Sequence, residues 1–198
     1  AEEKLLNALE IAEDNIGRTH KDLHHILIKL GDLYKSQGLY KKAEESYLKS
    51  LLVIEKTIGL NNSSSAEVYA SLGHLYSIAE LQTQGDKLSA LLEKAEENYL
   101  KALEISKIIY GENNFQIKNL YSDLGNFYLI KQKGEKAEYY FLKSLNLTED
   151  IFGQNHPSIA EEKLNMGFFY LIQRQYKKAE SYLFESKASY IRNYGENH

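Results

Sequence analysis

Four segments of this chain are near copies of one another: LGDLY (30–34), LGHLY (72–76), LGNFY (124–128) and MGFFY (166–170), whose glycines recur at intervals of 42, 52 and 42. A second pattern follows each in the same register: AEESYLKSL (43–51), AEENYLKAL (95–103), AEYYFLKSL (137–145) and AESYLFESK (179–187). A third, GLNN (59–62), GENN (111–114), GQNHP (153–157) and GENH (195–198), begins sixteen positions after the alanine that opens the second. The same offset taken back from Gly17 reaches Ala1. Units that repeat in three independent registers cannot each enclose a core, so neighbours must stack to supply one. The register predicts a half repeat (1–17, one helix), repeat one (18–59), repeat two (60–111), repeat three (112–153), and repeat four with the start of the next turn (154–198). It reads as a piece of a longer array.

Within each repeat the apolar positions follow helical spacing. Leu23, Ile26, Leu27, Leu30, Leu33 and Tyr34 predict a first helix, A, over 22–36, ended by Ser36-Gln37-Gly38. Tyr40, Ala43, Tyr47, Leu48, Leu51, Ile54 and Ile58 predict a second, B, over 40–58, ended by Gly59. Lys41, Lys42, Glu44, Glu45 and Lys49 fall between and are expected on a solvated face, with Glu45 and Lys49 as an i,i+4 pair. Pro157 is the single proline, as a chain helical nearly throughout requires. Gly31, Ala43 and Ser50 are expected where helices cross closely, with Tyr34 and Tyr47 filling the space beside them. Repeat two is longer by ten residues, five between Tyr76 and Gly85 and five between Gly85 and Ala95. This predicts a hairpin extended by about 7.5 Å, with Leu81 facing Leu88, Leu91 and Leu92; the alternative is a loop around residues 82–86.

Leu30, Gly31 and Tyr34 on helix A, and Ala43, Tyr47 and Ser50 on helix B, with their counterparts, resemble the tetratricopeptide repeat. The 42-residue period and the Gly-x-Asn-His-Pro turn resemble the kinesin light chain subfamily, most closely over 153–180. The resemblance implies an all-α, right-handed α-solenoid of antiparallel helix pairs that serves as a protein–protein interaction scaffold or adaptor.

Chemistry of other kinds finds little support. Cysteine is absent, which removes thiol catalysis, disulfides and cysteine zinc sites. Lys+Arg number 24 against 28 Asp+Glu, a net charge of −4, so there is no broad cationic surface for nucleic acid or anionic lipid. No stretch approaches the roughly 18 apolar residues of a membrane span, and AEEKLLNALE is too charged for a secretory signal. No dinucleotide or phosphate-loop glycine pattern occurs. His20 and His24 have zinc-ligand spacing, but His20 occupies the turn position of His156 and His198 and reads as a turn residue. Glu96 and Glu97 recur in register and read as repeat consensus, not an acid/base pair. Asn61, Asn62 and Asn146 head glycosylation sequons in a chain without a secretory sign. The reading is of a non-enzymatic, cytoplasmic protein without cofactor or metal.

The resemblance implies that helix A lines a concave groove. Counted from the Leu-Gly signature, the lining includes Lys29, Asp32 and Lys35 in repeat one and Ser71 and His74 in repeat two. Asn119, Ser122, Asp123, Asn126 and Leu129 follow in repeat three, and Asn165, Phe168 and Leu171 in repeat four. Ile28 and Ser77 are counted there as well. The lining is polar early and apolar late. Asp32 and Asp123 stand where chaperone-binding relatives clamp a carboxylate, which disfavours that ligand, while Asn126 and Asn165 resemble groove asparagines of the kinesin light chains. The expected partner is a protein or peptide, neutral or basic rather than acidic. Two alternatives are a regulatory array attached to a catalytic or signalling domain outside this segment, and weak self-association through exposed solenoid ends.

Overall fold

The computed structural model describes residues 2–16, 22–79 and 86–195, and among them nine α-helices and no strand. The chain divides into two units, Ala1–Ile109 and Tyr110–His198. The first holds α1 (Glu2–Ile16), α2 (Leu23–Ser36), α3 (Tyr40–Thr57), α4 (Ser63–Ala79) and α5 (Asp86–Tyr110), the last running one residue past the division. The second holds α6 (Phe115–Ile130), α7 (Gly134–Phe152), α8 (Pro157–Ile172) and α9 (Tyr176–Tyr194). The even-numbered helices are A helices and the odd-numbered ones B helices. Three-residue turns join α2 to α3, α6 to α7 and α8 to α9, which makes each an antiparallel pair.

Local chemistry sets the boundaries. The Asn114 side chain caps α6 by accepting from Gln116 N at 2.9 Å, and His156 Nδ1 caps α8 by accepting from Ser158 N at 3.2 Å, with Pro157 in the first turn. His156 is thus a turn residue; His20 and His198 lie outside the described residues. The B helices end at Gly59, Gly111, Gly153 and Gly195, with φ between 76° and 85°. After helix A, Gly38 has φ 74°, but Gln132 and Arg174 take its place in the later turns at φ 55° and 57°. The glycine expected there is therefore optional.

Close approach of A on B is the core of every pair. A Cβ built at Gly31 would lie 2.5 Å from the Tyr47 ring, one at Gly125 2.6 Å from Phe141, and one at Gly167 2.6 Å from Leu183. No side chain fits there without displacing a buried ring or branched chain. Beside each contact a B-helix hydroxyl donates to an A-helix carbonyl: Ser50 to His24 at 3.2 Å, Ser144 to Lys118 at 3.1 Å and Ser186 to Ala160 at 2.6 Å. Small residues here let the backbones meet and still satisfy their polar groups.

Neighbouring pairs are tied by a recurring contact. Tyr34, Tyr76 and Tyr170 donate from helix A to Glu2, Glu44 and Glu138 on the preceding B helix, at 3.1, 2.7 and 2.5 Å. Lys42, Lys94 and Lys178 lie over the same rings at 5.1, 5.1 and 4.7 Å. Burial, then the carboxylate, pushes the Tyr76 and Tyr170 hydroxyls well above their ordinary pKa, which keeps them protonated donors. Glu44, expected on a solvated face, is half-buried and holds this joint. The periodicity places it between the two faces, and only the tyrosine of the next repeat reveals its partner.

Within the second unit a buried polar network also joins α6 to α8. Lys118 Nζ and Glu162 Oε1 pair at 2.7 Å with side chains 6% and 1% exposed. Ser122 Oγ donates to Glu162 Oε2 at 3.1 Å and lies 2.7 Å from Ser144 Oγ.

In repeat two, α5 has 25 residues against 18 in α3 and 19 in α7, so added sequence lengthens helix B. Leu88, Leu91 and Leu92 on it are half-buried. Leu81, with most of the tip, lies outside the described residues, so the contact expected for it is undescribed. Among the described residues no helix is long and apolar enough to cross a membrane.

Gly125→Leu should lower stability by overpacking, by about 1–3 kcal/mol, read as a fall of roughly 2–4 °C in Tm per kcal/mol; an unchanged melt would mean that the contact with Phe141 yields freely. Lys118→Ala leaves Glu162 as an uncompensated buried charge and should cost about 3–5 kcal/mol, whereas Lys118→Met with Glu162→Leu should restore most of that loss. Chemical denaturation of the two variants measures the difference, and equal losses would refute the assignment.

Candidate peptide-binding surface

The candidate surface lies on the A helices, of which the B partners and, within each unit, the neighbouring A helix (α2 against α4, α6 against α8) cover part of the circumference. In the first unit, Lys29 on α2 and His74 on α4 are exposed, while Asp32, Lys35 and Ser71 are half-buried. The half-buried set is organised around Tyr47, a fully buried α3 side chain whose hydroxyl emerges between α2 and α4. Tyr47 Oη donates to Asp32 Oδ1 at 2.7 Å, and Ser71 also hydrogen-bonds it. Lys35 Nζ pairs with Asp32 at 3.6 Å and lies 5.9 Å from the Tyr47 ring centre. Burial first, and then Asp32, pushes the Tyr47 hydroxyl far above its usual pKa. Asp32 and Ser71 therefore form a floor whose polar groups are already engaged. His74 meets the Tyr99 ring edge-on at 5.7 Å. Ile28 and Ser77, counted in the lining, are instead buried at 2% and 6%. Ser77 tolerates this because its hydroxyl donates to Gly73 O at 2.9 Å.

In the second unit, Asn119 and Asn126 on α6 are exposed, and Asp123 and Leu129 half-buried. Ser122 is the exception in role: its hydroxyl belongs to the network with Glu162 and Ser144, so it positions α8. On α8, Asn165 is half-buried, Phe168 is 52% exposed and Leu171 38%. Met166, Phe169 and Tyr170, between and beside them, are buried. The core thus takes one side of α8 and leaves Phe168 and Leu171, one turn apart, on the other. Asparagine amides both donate and accept, which suits contact with a peptide backbone, and the exposed ring and isobutyl group suit an apolar side chain. No group of three or more potential metal ligands occurs among the described residues.

Lys118 and Glu162 escaped sequence reasoning because charged residues usually mark the solvated face. Their register was the signal: Lys118 stands where repeat two has Ala66, and Glu162 where repeats two and three have Val68 and Leu120. A formal charge at positions that carry His24, Ala66 and Ala160, or apolar residues throughout, in the other repeats points to a buried pair when it occurs in adjacent repeats.

Comparison with known proteins agrees with the helical-repeat fold. Residues 24–57 and 119–158 each match the tetratricopeptide repeat family. No curated protein sequence matches the chain. Among solved structures, nearly identical tetratricopeptide-like repeats of a protein described as a kinesin light chain, from Podosopora anserina, superpose with a TM-score of 0.77 at 14% identity, covering 98% of this chain and 87% of that one. A point variant of those repeats gives 0.79 at 16% identity, over 96% and 85%. BtubC (BKLC) from P. vanneervenii gives 0.51 at 21% identity, over 96% and 89%. At these identities the likeness is one of fold. Repeats of this kind are protein-interaction scaffolds, and the chain is an array of tetratricopeptide repeats with the kinesin light chain-like fold.

Proposed function

We propose that the array is an adaptor that holds a peptide segment of a partner protein against its A helices, in the concave groove that such arrays form. In the second unit Asn119, Asn126 and Asn165 contact the peptide backbone, and Leu129, Phe168 and Leu171 receive an apolar side chain. The observation that carries this reading is Phe168. It is more than half exposed although the neighbouring Phe169 and Tyr170 are buried in the core, so much of its ring is left open to a partner. In the first unit Lys29, Lys35 and His74 border the engaged Asp32–Ser71 floor and tune charge. With Glu67 and Glu161, which the same register counts in the lining, four acids (Asp32, Glu67, Asp123, Glu161) stand against two lysines, which favours a neutral or basic segment, but screening over a Debye length of about 8 Å keeps that preference small. The apolar contact then dominates affinity.

Peptides selected from a display library on the whole chain, then titrated against variants, test the proposal. Phe168→Ala should weaken binding by about 2 kcal/mol, roughly 30-fold. Asn126→Ala should weaken it by about 1 kcal/mol, and Lys49→Ala on helix B should leave it unchanged. Loss confined to Lys49→Ala would move the working surface to the B helices and end the groove reading.

A further inference from the structure

In the second unit α8 packs chiefly on α7 and α9, and its direct contact with α6 is slight. What joins α6 to α8 is polar and buried. Lys118 Nζ stands 2.7 Å from Glu162 Oε1 and 5.3 Å from the Phe115 ring centre, and the other carboxylate oxygen accepts from Ser122 Oγ at 3.1 Å. Ser144 on α7 closes the network, its hydroxyl lying 2.7 Å from Ser122 Oγ and 3.1 Å from Lys118 O. The fold itself does not ask for these charges. The register position of Lys118 carries His24, Ala66 and Ala160 in the other repeats, and that of Glu162 carries Ile26, Val68 and Leu120. Apolar residues of similar volume often stabilise a core as well as a buried ion pair does, or better. What the pair supplies is direction: its energy depends on where both groups stand, whereas apolar burial rewards any close fit. The first unit ties its A helices from the same register by other means, His24 Nε2 on α2 lying 3.0 Å from Ser64 Oγ on α4.

The network adjoins the candidate surface on both helices. Lys118 precedes Asn119, Ser122 stands one turn before Asn126, and Glu162 one turn before Asn165. We propose that Lys118 and Glu162, with Ser122, are positioning residues of the peptide groove. The pair fixes the spacing and roll of α8 against α6, and with them the separation of Asn119 and Asn126 on one helix from Asn165 and Phe168 on the other. This role rests on the groove reading and adds that the two helices present one preorganised site, which meets the backbone of a bound segment from both at a set distance. Preorganisation lowers the ordering cost of binding, so these residues contribute affinity without touching the peptide.

The chain has no cysteine, so Asn126→Cys and Phe168→Cys admit one nitroxide each, at exposed positions of α6 and α8. Dipolar EPR on the whole, unliganded chain then reads the distance between the two helices. A narrow distribution is expected, shifted or broadened by Lys118→Met with Glu162→Leu in a protein of nearly parental stability. Without labels, that double substitution should weaken peptides selected on the whole chain at least about tenfold. Ser122→Ala, which keeps the ion pair and loses only the hydroxyl, should weaken them at least about twofold. An unchanged distance, or an unchanged affinity for peptides that Phe168→Ala does weaken, would overturn this role and leave the groove reading standing. Where the double variant does not fold, the distance and affinity of Ser122→Ala decide in the same way. Peptide binding that survives Phe168→Ala would end the groove reading itself, and this role with it.

Discussion

Each helix pair depends on a point of contact where helix A carries no side chain. Glycine in a helix interior costs about 1 kcal/mol relative to alanine, so its retention at Gly31, Gly73, Gly125 and Gly167 requires a larger return elsewhere. The return is the seating of Tyr47, Tyr99, Phe141 or Leu183 directly on the A-helix backbone, at distances that leave no room for a Cβ. The first three rings are 2% exposed or less. Once that contact fixes the separation and roll of the two helices, the serine-to-carbonyl bonds beside it fall into place, and Ala102 stands in for serine in repeat two at full burial.

Fixing the roll of helix A also decides which of its residues reach solvent. One flank packs on its own B helix; in α2, α4 and α8 another packs on the preceding B helix through the tyrosine–glutamate joint, and within each unit a third meets the neighbouring A helix, α2 with α4 and α6 with α8. What remains is a narrow strip, and the residues on it differ between the units. In the first unit the strip is polar and much of it is engaged in holding the Tyr47 hydroxyl. In the second it is asparagine and apolar side chain.

Much of this was legible in the sequence, and the residues show why. The helices expected over 22–36 and 40–58 are found at Leu23–Ser36 and Tyr40–Thr57, because apolar spacing and glycine stops act locally. The packing glycines were legible because a costly residue recurred in register. The failures concern side chains whose role is set by a residue a whole repeat away. Glu44 looked solvated until Tyr76 reached it, Ile28 and Ser77 looked exposed until their neighbours covered them, and Ser122 looked like lining until Glu162 claimed its hydroxyl. Periodicity assigns a residue to a side of its helix, but a side shared by three neighbours is resolved only by their placement. Gln132 and Arg174 show a different limit: a turn that favours glycine tolerates other residues when packing on both sides holds the backbone.

The central claim, that contact between a bare A-helix backbone and a B-helix ring sets each pair, is tested most directly by a double-mutant cycle at Gly125 and Phe141. Phe141 has no hydroxyl, so the cycle reports packing alone. The account predicts that Gly125→Ala destabilises the protein when Phe141 is present but is neutral or stabilising beside Phe141→Val, where alanine's helix preference is no longer opposed. The coupling energy, from equilibrium unfolding of the four proteins, should be about 1 kcal/mol or more. Additive effects, within about 0.3 kcal/mol, would contradict it and show that the glycine and the ring are placed independently.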